Sequence, residues 1–469
     1  MSVTLSLAER YVRFREEVFG GLEETPLLTW GGAMPELQLQ SLWFGGAFGT
    51  EFTGEDGERV RIRDFGEWNA GAGPDFTGCS VLINDELHAG DIELDPDARD
   101  WERHHHGANP EFNKVVLHVF VTAPGETRAF TRTVEHRQVV QVRLQPGMLE
   151  QGFSPTSKVA PARLGRCSLP LSQMSAAAVR SLIEAAAQHR LERKARRLHR
   201  CVAVHGREQA VYQGLAETLG YKHNQRPFVL LAQRLPVRRM LAQEPMMREA
   251  LLFGVSAFLE HAPFDALDDI ARAYLRDLWQ HWWKCRASYE RWFLRGMELN
   301  GSLKAVRPGN HPQRRLGALA AVLSQWSKIM SPLKQADAWN LKKWEGVLGR
   351  LSHEFWDTHY TLGARATAKP IALIGATRVN EMLANVVYPL LVPEKPALWA
   401  EFKDLPALLD NLKVRRAVLR LFGESERAKD YQKKLHHQQG LVQVYEDFCL
   451  EDDSACADCP FPERLAQWG

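Results

Sequence analysis

The stretch "AGPDFTGCSVLINDELHAGDIELD", residues 72–95, constrains the fold of this chain more than any other. Two β-type runs flank "IND", a segment suited to a tight hairpin. The first run opens on Pro74-Asp75, and the second carries Asp91, Glu93 and Asp95. Side chains alternate along a strand, so Glu93 and Asp95 share a face, with Asp91 in the same alternation. If the two runs pair, Asp75 and Glu93 converge. Carboxylates brought that close repel unless a cation intervenes, and hard divalent ions such as Mg²⁺ or Mn²⁺ prefer such oxygen donors.

The surrounding pattern predicts a mixed α/β unit. "RVRIRDFGEW", "DFTGCSVLIN", "ELHAGDIELD", "KVVLHVFVTA" and "RQVVQVRL" read as strands, "MPELQLQSLWFGGAF" before them as a helix, and "DPDARDWERHHH" as a second helix. The order α-β-β-β-α-β follows. Residues 146–175, rich in Gly, Pro and Ser, read as a linker. From Met174 to Gln443, apolar residues recur at i, i+3 and i+4, which predicts a large helical region. The expected division is an α/β domain over 1–150, a linker over 151–175, a basic helical domain over 176–445 and a Cys-rich tail over 446–469.

Charge follows the same division. Residues 1–150 hold 13 Lys and Arg against 25 Asp and Glu, while the remainder holds 46 against 32. The overall +2 therefore conceals an acidic first part and a basic second part. Such a split suits a metal-loaded module beside one that meets a polyanion. The sequence has no run of about 18 uncharged apolar residues, so no membrane partner is expected. Its seven cysteines lack paired spacing, which favours a reducing, cytoplasmic setting. No G-x-x-x-x-G-K-[ST] loop is present, which argues against an ATP-driven motor.

Gly-x-Gly-Pro-Asp, a strand, a hairpin and Asp-Ile-Glu together resemble the PD-(D/E)XK nuclease superfamily. "GEWNAGAGPDF", "GDIEL", "DWERHHHGANPEFNKVVLHVF", "HNQRPFVLLAQRLP" and "RPGNHPQRRLGALA" resemble, more specifically, the bacterial domain-of-unknown-function family 2851. The first resemblance implies a restriction-endonuclease-like core in which Asp75 and Glu93 bind a divalent metal that activates water for phosphodiester hydrolysis. Glu36, on the preceding helix, would complete the ligand set. The superfamily's third strand usually reads Glu-x-Lys, and here Asp95 occupies the Lys position. Asp95 would then be a further ligand or a general base near the water. Lys114, Arg99 or a histidine would supply the missing cation, or the core has stopped cutting and serves as a nucleic-acid-binding or scaffold subunit.

Three further groups are candidates. In "WERHHHGANPEFNKVVLHV", His104, His106 and His118 are site-adjacent. Successive helical residues point about 100° apart, so only one or two of the adjacent histidines can reach one site. Cys449, Cys456 and Cys459 in "DFCLEDDSACADCPFPE" have metal-ligand spacing for zinc or an iron–sulfur cluster. Their fourth ligand would be Cys201, Cys285, His436 or His437. "HRLERKARRLHRC" aligns Arg193, Arg197 and Arg200 on one helix face, which suits phosphate contact. "RPGNHPQRR" adds Arg314 and Arg315. The expected function is metal-dependent hydrolysis of nucleic acid, DNA ahead of RNA.

Overall fold

The computed structural model describes residues 6–19, 36–69, 73–122, 131–145, 148, 170–172, 174–260, 264, 267–289, 308–408, 412–423, 425–450 and 461–468. A mixed sheet lies in the N-terminal part, and a largely helical region follows. Helices α1 (Leu7–Phe19) and α2 (Glu36–Phe44) precede the sheet. Its strands are β1 (Glu51–Thr53), β2 (Arg59–Asp64), β3 (Glu67–Trp68), β4 (Phe76–Ile83), β5 (Glu86–Asp97), β6 (Val115–Thr122) and β7 (Val140–Arg143). They run in the order β1-β2-β4-β5-β6-β7, with β3 beside β4.

β4 and β5 form the expected hairpin, Ile83 facing Glu86. Asn84 and Asp85 close it with φ of 49° and 71°. These are left-handed values that Asn and Asp tolerate in tight turns. β2, β4 and β5 are antiparallel, whereas β6 lies parallel to both β5 and β7. A parallel strand between two neighbours is covered on both faces, and β6 is buried from Val115 to Phe120. The sheet curls until Gly54, just past β1, bridges Val142 in β7.

The connection from β5 to β6 is less helical than the sequence suggests. β5 runs on through Asp97, so Asp95 lies inside a strand and not at a helix start. Helix α3 (Asp100–Arg103) is a single turn, followed by two 3₁₀ turns at His106–Ala108 and Pro110–Phe112. Left-handed His105 (φ 59°) separates α3 from the first of these, and Asn109 caps the Pro110 turn through the Glu111 N–H. Buried Trp101 anchors the segment against Phe112.

α4 (Ala176–His205) begins at Ser175, whose Oγ accepts the Ala178 N–H. α5 (Arg207–Leu219) and α6 (Tyr221–Arg234) pack after it. One apolar core runs from Trp43, Phe76 and Ile92 of the sheet region into α5, α6 and the later helices. At the junction, His205 Nε2 lies 2.6 Å from the Phe44 carbonyl, and the Arg234 guanidinium stacks over Trp68. A second core joins α1 to α4 and to the helices Leu412–Phe422, Leu435–Tyr445 and Phe461–Leu465. Thus α1, though it precedes the sheet in sequence, packs with the helical region through Tyr11, Phe14 and Val18.

Candidate metal centre

Four elements deliver carboxylates and imidazoles to one place. The loop before β4 is held by Asn69, whose side chain donates to the Pro74 carbonyl at 2.7 Å and whose N–H donates to the Asp75 carbonyl at 2.7 Å. Gly73 bends this loop at φ 102°, a conformation that L side chains rarely adopt. Asp75 then meets β5 twice. Its N–H donates to Glu93 Oε2 at 3.0 Å, and its Oδ2 accepts from the Leu94 N–H at 3.2 Å. From α2, the buried Gln40 amide donates to Glu36 Oε1 at 3.0 Å and to Asp75 Oδ1 at 2.8 Å.

β5 supplies Glu93 and Asp95, which are 6% and 2% exposed. Asp95 Oδ2 lies 3.1 Å from His118 Nε2 on β6, and His118 Nδ1 lies 3.3 Å from the Gln141 amide on β7. This line of contacts fixes the Asp95 side chain beneath the cluster. From the far side, the segment after α3 brings His104 Nδ1 to 3.6 Å from Asp95 Oδ1 and His106 Nε2 to 3.1 Å from Glu93 Oε1. The left-handed turn at His105 is what allows His104 and His106 to converge, their rings 5.4 Å apart.

Burial raises Glu36, and the nearby Asp95 adds to it. Burial lifts Asp75 well above the usual carboxylate range, reinforced by Glu93 and Glu36. Glu93 is likewise raised well above it by burial and by Asp95. His106 is held low by burial, against the pull of Asp95. Among the described residues, no Lys or Arg pairs with Glu36, Asp75, Glu93 or Asp95. Arg99 pairs with Asp97 at 2.6 Å and Arg103 with Asp100 at 2.6 Å. Lys114 is exposed at the start of β6, its carbonyl accepting the Asp91 N–H. Of the groups expected to supply the cation, Lys114, Arg99 or a histidine, it is the histidines that lie beside these carboxylates.

The donor set suits a metal. Among the described residues, His106 Nε2 is buried without a hydrogen-bond partner, although Glu93 Oε1 lies 3.1 Å away and Asp95 Oδ2 4.0 Å away. Two such atoms in contact, yet misaligned for a hydrogen bond, can share a third atom. Ligand atoms of Asp95, His104 and His106 all lie within 4.8 Å of one another. Glu36 and Asp75 flank this set through Gln40.

Over residues 36–404 the chain matches the family described as "Protein of unknown function (DUF2851)". The chain belongs to that family. The whole cluster, from Glu36 to Gln141, falls inside the matched span. No curated protein and no solved structure matches the chain.

Other sequence candidates lie elsewhere. Asp91 is tied to the left-handed Gly78 of β4, accepting its N–H at 3.1 Å. On α4, Arg197 pairs with Glu217 at 2.7 Å. Arg193 is half-buried, with Asp447 and Glu446 among the charges around it, and Arg200 is likewise half-buried. Arg314 and Arg315 are buried and donate to backbone carbonyls, Arg314 to His359 and Ile371 and Arg315 to Leu373, so phosphate contact is not their role. Cys449 packs beside the second core, and Cys456 and Cys459 lie outside the described residues. Cys201 is buried in the first core, and Cys285 Sγ sits against the Trp282 carbonyl. His437 precedes Cys449 by about 18 Å of helical rise on the same helical path.

Sequence reasoning missed Gln40, Gln141 and the His105 turn. Only Gln40 left a signal: it follows Glu36 by four residues, one helical turn along the same face.

Proposed function

We propose that this chain is a metal-dependent phosphodiesterase acting on nucleic acid, DNA ahead of RNA. One observation carries the reading: four carboxylates and two imidazoles meet at one end of a hairpin with no Lys or Arg among the described residues to balance them. The α2, β2, β4, β5, α3, β6 order and the parallel β5–β6 pair support a nuclease-like core. Asp95, His104 and His106 would hold the ion, with Glu93 beside His106 and with Asp75 and Glu36 around them. Mixed imidazole and carboxylate donors favour Mn²⁺ over Mg²⁺. A divalent ion there would supply Lewis acidity and lower the pKa of water.

The chain's own residues account for the rest. His118 and Gln141 set the orientation of Asp95. Gln40 spaces Glu36 from Asp75. His104 turns Nδ1 toward Asp95 and its side chain is 47% exposed, so its other nitrogen would be available to move a proton at the substrate. A non-catalytic nucleic-acid-binding subunit is the second reading, and Asp95 at the usual Lys position favours it.

The test incubates the purified full chain with end-labelled single- and double-stranded DNA and RNA, with Mn²⁺, with Mg²⁺ and with chelator. The expected result is cleavage with Mn²⁺ that chelator and Glu93→Gln both abolish. Metal binding without cleavage of any substrate would favour the second reading. Cleavage undiminished in Glu93→Gln would remove the proposed site.

A further inference from the structure

A second group of metal-ligating side chains lies outside the sheet, where α4 meets the helix Leu435–Tyr445. The two helices touch backbone to backbone. A Cβ on Gly440 would collide with the Ile183 carbonyl, so only glycine fits there. This approach sets Glu184, the residue after Ile183, opposite His436, which lies one turn before Gly440 on the same helix face. His437 adjoins it, and the two imidazole rings lie 4.1 Å apart. Ligand atoms of Glu184, His436 and His437 are all within 4.8 Å of one another. His436 is 4% exposed, while Glu184 is half-buried at the wall of a cavity beside the two helices.

The surroundings of the two rings suit imidazoles that ligate. The Lys403 carbonyl, from the helix Leu398–Asp404, faces His436, and the Asp430 carbonyl, from the 3₁₀ turn Glu426–Tyr431, faces His437. A neutral ring that gives its N–H to a carbonyl keeps a lone pair on the other nitrogen. Metal-binding histidines are held in this way, with a carbonyl fixing tautomer and orientation. Among the described residues, His437 Nδ1 is buried with no hydrogen-bond partner, so no N–H meets that nitrogen. Burial, with the neighbouring His437 and Lys403, holds His436 down at about 3, and burial also lowers His437, so both rings are neutral. Two lone pairs and a carboxylate thus stand together as acceptors. Lys403 is the cation beside Glu184, 3.7 Å away and with its side chain 36% exposed. So long and exposed a contact contributes little, and Lys403 can turn to solvent when an ion takes its place.

We infer that Glu184, His436 and His437 form a second metal site, for a zinc-type ion that ties α4 to the helix Leu435–Tyr445. Two imidazoles and a carboxylate are three of the ligands of a tetrahedral zinc site and leave the fourth position open toward the cavity. Nitrogen donors favour Zn²⁺ over Mg²⁺ or Mn²⁺. The inference is independent of the phosphodiesterase reading, since it uses no residue of the sheet.

The test measures Zn²⁺ bound to the full chain carrying His106→Ala, which disables the cluster on β5. Elemental analysis after equilibration with micromolar Zn²⁺ should find one equivalent, and Zn²⁺ should raise the melting temperature. Adding Glu184→Gln, a nearly isosteric change at a half-buried side chain, should weaken Zn²⁺ binding at least about 10-fold and leave the metal-free melting temperature unchanged. Adding His436→Ala should weaken it as much. Lys403→Met should tighten it, because the cation that competes for Glu184 is gone. Co²⁺ in place of Zn²⁺ should give the strong visible absorption of a four-coordinate ion. Absence of bound Zn²⁺ in the His106→Ala chain would overturn the inference, and so would an affinity undiminished by both Glu184→Gln and His436→Ala.

Discussion

The cluster on β5 and the charged network on α4 are both buried assemblies of ionisable groups, and they are compensated in opposite ways. On α4, Arg190 meets Glu446 at 2.6 Å, and Lys413 meets the same carboxylate. Arg190 also donates to Gln439 and Gln443, and Lys194 donates to Gln439 and the Ala384 carbonyl. Burial works against the Glu446 charge, yet Arg190 and Lys413 bring it down to about 2. At the β5 cluster the carboxylates go up instead. The same residue types are thus completed internally in one region and left short of a cation in the other. That difference separates a self-balanced ion network from the cluster proposed above to take a metal.

The largest expected effect breaks the cluster. Glu93→Gln should abolish Mn²⁺ binding, read by calorimetry, and lower any cleavage rate by at least about 100-fold. Its fold should persist, since Gln keeps an oxygen for the Asp75 N–H. Glu446→Ala is the counterpart on α4. It leaves Arg190 and Lys413 without their carboxylate and should cost about 3 kcal/mol in urea unfolding. Mn²⁺ affinity should not change. If Glu446→Ala altered metal binding, the two assemblies would be one coupled unit and the contrast would fail.

Next in size is His118→Asn. His118 touches Asp95 and Gln141 and is 0% exposed, so it acts through Asp95. Loss of such a supporting group typically weakens metal affinity about 10- to 100-fold. Mn²⁺ affinity should fall by that factor, and His118→Gln should restore part of it. An unchanged affinity would make His118 a core residue only.

The two regions should also respond to pH with opposite sign. Asp75 and Glu93 have raised folded-state pKa values, so their contribution to stability is complete below the ordinary carboxylate range. It is lost as pH rises through the raised values. Glu446 is lowered, so its contribution is present above the ordinary value and is lost as pH falls toward about 2. In the metal-free chain, Asp75→Asn should therefore raise stability, and by more at pH 8 than at pH 5. Mn²⁺ should raise the wild-type melting temperature more at pH 8 than at pH 5. Equal shifts at both pH values would show that the carboxylates are already ionised and balanced without metal.

Much of the cluster was legible because it depends on local rules. Alternation placed Glu93 and Asp95 on a common face, and "IND" fixed the hairpin that brings Asp75 to Glu93. The role of the histidines was only half legible. Helical spacing forbids His104 and His106 from meeting well, and they meet because His105 adopts a left-handed turn, a conformation that His enters more often than most residues but that three adjacent histidines do not assign to any one of them. His118 and Gln141 depend on the parallel register of β5, β6 and β7, a pairing between segments distant in sequence. The arginines of α4 show the limit from the other side. Their helical face was readable, but the partners that engage them, Glu217 and Glu446, come from other helices. A charge run shows where cations lie and is silent on what compensates them.

The smallest expected effect tests that last point. Arg197 holds Glu217 through two nitrogens, at 3.1 and 2.7 Å, and is 49% exposed. A half-exposed pair of this kind contributes about 0.2–1 kcal/mol, so Arg197→Ala should shift unfolding by no more than that. A cation already engaged by a carboxylate releases no counterion when a phosphate backbone approaches. Nucleic-acid affinity and its dependence on salt should therefore be the same in Arg197→Ala as in the wild type. A salt slope shallower by about 1 in the variant would mean that Arg197 leaves Glu217 to contact a phosphate. The α4 face would then join the substrate surface, and the line between a self-balanced helix and a cation-seeking sheet would have to be redrawn at Arg197.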